Sequence, residues 1–84
     1  MKRFRREPLT LFAKCAMLLW GDPYVPQMAQ ALGVAERSIQ RWSSGARDVP
    51  PDIWADLAER LREEERFFCE TADEVDRHLK EVAA

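Results

Sequence analysis

Residues Val25–Ser44 read VPQMAQALGVAERSIQRWSS, and the spacing of their apolar and glycine residues decides the fold. Pro26 suits the first turn of a helix, where a missing N–H leaves no hydrogen bond unmade. That helix is expected to end at Leu32, because Gly33 offers the left-handed conformation on which helices terminate. A second helix is expected over about Glu36–Ser43, closed by Gly45. Two short helices joined by so tight a turn must cross steeply and bury a few side chains between them. The crossing needs a small residue at the contact, which Ala29 supplies, and apolar residues from both sides. Met28, Leu32, Val34, Ile39 and Trp42 form that inward set, which leaves Glu36, Arg37, Gln40, Arg41 and Ser44 facing outward.

On the N-terminal side, a helix is expected from about Pro8 to Trp20, stopped by Gly21-Asp22-Pro23. Phe12, Cys15, Ala16 and Leu19 follow the three/four spacing of a buried stripe. Leu11, Met17, Leu18 and Trp20 extend apolarity around most of that helix. Either it is central to the core or one flank meets another subunit. On the C-terminal side, Ala46–Pro50 reads as a loop and Pro51 starts a helix, with Asp52 near the positive end of its dipole. Helical character continues to about Val82. Thr71-Ala72-Asp73-Glu74 matches a capping box, so one long helix or two are both compatible. Trp20, Trp42 and Trp54 lie on inward faces, with Leu57 and Leu61 following Trp54 at helical spacing, and a shared core is expected of them. Cys15 and Cys69 are each expected to be buried as small hydrophobes. No stretch alternates as a strand would.

The expected fold is therefore all-α: a compact four- to five-helix domain with an extended C-terminal helix. The chain divides into a basic arm (1–8), a helical domain (9–62) and a C-terminal helical extension (63–84). Its 84 residues suit one domain with a small core, in which association would be a natural source of further stability. The net charge of −2 hides a split. Residues 1–47 carry eight Lys/Arg against three acids, whereas residues 48–84 carry five against twelve. Such asymmetry suggests one surface facing phosphates and another facing water or protein.

The stretch 25–44 resembles the helix-turn-helix of the lambda-repressor-like, or Cro-type, DNA-binding family. Ala29 matches that motif's small residue, Gly33 its turn glycine, and Met28, Leu32, Val34, Ile39 and Trp42 its buried positions. The resemblance covers roughly residues 9–62. It departs from the pattern at Ala35, where the family usually carries a capping Ser, Thr or Asp. Losing such a cap typically costs about 1 kcal/mol, part of which Glu36 recovers through the helix dipole. The resemblance implies that residues 36–44 form a recognition helix entering the major groove of double-stranded DNA. Arg37 and Arg41 are the implied base readers, since arginine can grip guanine O6 and N7 with two parallel hydrogen bonds. Gln40 is placed to meet adenine or a phosphate. Glu36 either accepts from cytosine N4 or holds Arg37 or Arg41 in place. Gln27, Ser43, Ser44 and Arg47 are candidates for phosphate contacts, which set register without reading sequence. Arg3, Arg5 and Arg6, with Lys2, form an arm that tracks the DNA backbone, enters the minor groove, or is a solvated tail.

From Trp54 onward one set of positions steps alternately by four and three: Trp54, Ala58, Leu61, Glu65, Phe68, Ala72, Val75, Leu79 and Val82. Seven residues per two turns is the coiled-coil period. Only Glu65 breaks the apolar rule. Phe68, Val75, Leu79 and Val82 extend past what one small domain covers, so they are expected to pair with a second copy in a homodimer. The other arrangement is a helix folded back onto its own domain.

A transcriptional regulator is the expected function, a repressor or autoregulator of the kind found in bacteria, phages and mobile elements. It would bind an inverted-repeat operator by occupancy alone. The rival reading is a helical protein-binding adaptor or antitoxin-like module without a DNA role. An enzyme is not expected: one histidine, no glycine-rich phosphate loop and no nucleophile motif leave little to build a site from. No cofactor, metal site or small-molecule substrate is expected either, since no CxxC or Cys/His cluster exists. The basic start followed by Leu9–Trp20 imitates a secretory signal. Lys14 interrupts that stretch, no cleavage site follows it, and it is too short to span a bilayer, so a cytoplasmic protein with no membrane partner is expected.

Overall fold

A computed structural model describes residues 9–83. Among them are four helices and no strand: α1 (Leu11–Trp20), α2 (Val25–Leu32), α3 (Glu36–Ser44) and α4 (Pro51–Ala83). The all-α expectation holds, at the lower of the two helix counts. Helix α1 is the hub and packs against each of the other three.

The start of α1 differs from the expectation. Pro8 lies outside the described residues, and the helix begins at Leu11 because Thr10 is its N-cap. The Thr10 hydroxyl oxygen accepts from the Ala13 N–H at 3.1 Å and satisfies one of the donors a helix start leaves unpaired. The same hydroxyl donates to the Ser43 carbonyl at 2.8 Å, tying the head of α1 to the tail of α3. Thr10→Ala removes both bonds and is expected to destabilise the domain by about 1–2 kcal/mol, measured as a lowered urea midpoint at unchanged slope.

Phe12, Ala13, Cys15 and Ala16 of α1 are buried, together with Met28, Ala29, Ile39 and Leu57. Phe12 sits at the centre. Its ring meets Trp42 edge-on at 5.6 Å between centroids and Trp54 at 6.2 Å. Trp20 packs against the same cluster from the other end of α1, so all three tryptophans serve one core. Leu11 and Leu18 remain 63% and 53% exposed. The first alternative for this helix holds: one face makes the core, while Leu11 and Leu18 on the other flank stay exposed.

Helix α2 starts one residue before Pro26, and the side chain of its cap residue Tyr24 does not bond the helix's first N–H groups. Gly33 follows with φ +70°, a region where a side chain would clash, and the chain turns sharply through Val34 and Ala35 into α3. The Val34 N–H donates to the Ala29 carbonyl at 3.0 Å, which fixes that turn. Helix α3 ends at Ser44, one residue later than expected, on Gly45 at φ +84°.

Helix α4 is continuous from Pro51 to Ala83, so the capping-box pattern at Thr71 does not start a new helix. Neither Gly nor Pro occurs after Pro51, and each N–H keeps its partner four residues back, so a local cap cannot compete. Every residue from Arg62 to Ala83 is exposed. The extension gives the molecule its length, 56 × 27 × 19 Å. Arg60 braces the base of α4. It donates to Asp56 at 2.7 Å, reaches the Ala31 carbonyl of α2 at 3.5 Å, and lies 5.6 Å from the centre of the Trp20 ring.

Cys15 is buried as expected, but Cys69 is exposed, because α4 has left the core before reaching it. Burial pushes the Cys15 thiol above its ordinary value, which lowers its thiolate fraction at neutral pH. Ellman's reagent should therefore titrate Cys69 rapidly in the native chain and Cys15 only after denaturation. Equal native rates would contradict this packing. No helix among the described residues is long and apolar enough to cross a membrane.

Candidate nucleic-acid interface

The orientation of α3 follows from what it buries. Ile39 is fully buried, and Trp42 packs against the same cluster three residues on. On a helix, residues three and four apart share a face, so these two fix the opposite face toward solvent. Glu36, Arg37, Gln40 and Ser44 are exposed there, while Arg41 is half-buried. Arg41 lies with Ser38, Trp42, Arg47, Asp48 and Pro50 around a shallow cleft between α3 and the following loop.

Among the described residues, neither Arg37 nor Arg41 is held in an ion pair. Glu36 therefore makes no internal tether to either arginine, although it stands in the first turn of α3 where the dipole favours an acid. No side chain caps α3, as Ala35 implied, so the first-turn N–H groups point outward without an internal side-chain acceptor.

The phosphate candidates divide into two groups. Gln27 is exposed in the first turn of α2, whose uncapped N-terminus suits an anion. Ser44 and Arg47 are exposed where α3 ends. There the Arg41 carbonyl accepts from the Ala46 and Arg47 N–H groups at 3.0 and 3.3 Å, which shapes the loop that presents Arg47. Ser43 is different. It is half-buried, and its hydroxyl oxygen accepts from Tyr24 at 2.8 Å while its carbonyl accepts from Thr10. It ties the heads of α1 and α2 to the end of α3, and its remaining hydrogen is what it can still offer a ligand. Arg3, Arg5 and Arg6 lie outside the described residues.

Two positioning residues escaped the sequence reading. Thr10 was legible, since a threonine just before an apolar helical stripe is a standard start signal. Tyr24 was not, because its bond to Ser43 joins residues 19 apart. Among the described residues no group of three His, Cys, Asp or Glu is placed to hold a metal ion. No protein-family model, curated protein or solved structure matches this chain.

Proposed function

We propose that this chain is a sequence-specific regulator that binds double-stranded DNA through a lambda-repressor-like helix-turn-helix made of α2 and α3. The observation that carries the reading is the outer face of α3, where Arg37 and Gln40 are exposed and, among the described residues, neither Arg37 nor Arg41 has an internal ion pair. These cations contribute nothing evident to the core, whereas a major groove offers paired guanine acceptors at the right depth. Arg37 and Arg41 read bases, Gln40 and Glu36 contact neighbouring base edges, and Gln27, Ser44 and Arg47 hold the flanking phosphates. A homodimer places two such helices on an inverted repeat, and repression follows from occupancy of a promoter without any catalytic step.

A footprint on promoter fragments tests this directly. A single protected inverted repeat is expected, with affinity that falls as salt rises at a log–log slope of about −0.9 per phosphate contact. Protection of no fragment, or of all equally, would sink the reading. The exposed apolar flanks of α1 and α4 favour a second reading, a protein-binding adaptor. Its partner binding would be insensitive to salt and to Arg37→Ala.

A further inference from the structure

We infer that two copies of this chain join through α4 running in opposite directions, centred at the level of Glu70. This deepens the homodimer of the proposed function by giving it an orientation and a register, and it does not depend on the presence of DNA. The starting point is the exposed apolar stripe of α4: Phe68, Val75, Leu79 and Val82 are 66%, 52%, 56% and 63% exposed. Paired in parallel and in register, that stripe would set Glu65 against Glu65 and Phe68 against Phe68. No flanking pair of opposite charge would arise in that arrangement.

Reversing one copy about Glu70 changes each of these contacts. Phe68 then faces Ala72 of the second copy, large against small, and Leu61 faces Leu79. The two Glu65 side chains separate by about 15 Å along the axis, at 1.5 Å per residue. Beside the stripe, Arg62 meets Asp76 of the second copy and Glu64 meets His78, and symmetry repeats both pairs. Sliding the pairing by one heptad either way brings Asp76 beside Cys69 or Ala55 and loses both. The Arg62–Asp76 charge pair, with the Glu64–His78 polar pair beside it, thus selects this register among those that keep the stripe closed.

The shape of the domain agrees. An apolar groove between the end of α1 and α4, lined by Leu18, Leu19, Leu61 and Phe68, opens where Leu79 of the second copy arrives. The arrangement also sets the two domains roughly 40 Å apart along the helix axis, comparable with the ~34–36 Å between half-sites one turn apart.

The test uses full-length chains in a Cys69→Ser background. One carries Arg62→Cys and the other Asp76→Cys, and they are mixed and treated with a short bismaleimide; Cys15 is buried. A mixed Arg62→Cys/Asp76→Cys adduct is expected to dominate over either self-adduct. As an independent check, Arg62→Asp should weaken self-association about tenfold, and Asp76→Arg in the same chain should restore it. A dimer by sedimentation that yields neither the mixed adduct nor the rescue overturns the antiparallel register and leaves the regulator reading standing. A monomer at tens of micromolar overturns the pairing itself. Loss of footprinting with the mixed adduct intact overturns the DNA reading alone.

Discussion

Arg37→Ala is expected to weaken specific operator binding by roughly 30-fold to 10⁴-fold while leaving the fold intact. A bidentate arginine–guanine pair discriminates by about 1–3 kcal/mol, and a homodimer loses the pair twice. The stability change should stay within about 0.5 kcal/mol, because the Arg37 side chain is exposed and has no ion-pair partner among the described residues. The contrast that identifies a base reader is Arg47→Ala. Loss of a phosphate contact weakens binding to all sequences alike and reduces the salt slope by about one per copy, without relaxing preference at any base pair. Gel-shift titrations against the footprinted site and a set of single-base variants distinguish the two. Unchanged affinity of Arg37→Ala for its site would remove α3 from the interface.

Phe12→Ala is the opposite kind of change. It touches no ligand and is expected to lower stability by about 3–5 kcal/mol, the range for deleting a buried aromatic side chain. Phe12 is 1% exposed and its ring bridges Trp42 of α3 and Trp54 of α4. A chain of this size has about 5–10 kcal/mol in all, so the variant should lose near-ultraviolet signal from its tryptophans at low urea. Phe68→Ala supplies the control. Phe68 is as large as Phe12 but exposed on α4, so its loss should spare the folded domain and impair self-association instead. A stable Phe12→Ala would mean that the two tryptophans pack without the ring between them.

The core was legible because its signals are local. Met28, Ala29 and Ile39 carry the inward positions of two adjacent short helices, and all three are buried. The left-handed glycines at 33 and 45 mark the ends of α2 and α3 for the same reason: the backbone conformation there excludes most other residues. The capping box at Thr71 left one helix or two open, because a four-residue pattern says nothing about whether the helix on either side continues; the helix is one. Cys69 was expected to be buried because free cysteine usually packs as a small hydrophobe, whereas α4 has outrun the rest of the chain by that point.

Local chemistry alone determined that this chain is helical, where its helices stop, which residues of α3 turn away from the core, and that its charge is divided between two halves. Those properties depend on neighbours within a turn or two, where spacing and backbone preference act directly. Only the tertiary structure decided that Thr10 and Tyr24 converge on Ser43, that Arg60 braces α4 against α2 and Trp20, and that the core ends at the base of α4 and leaves the rest of that helix bare. These depend on how helices far apart in the chain come to rest against one another. That is set by shape and by competition for one small core, which no short stretch of sequence encodes.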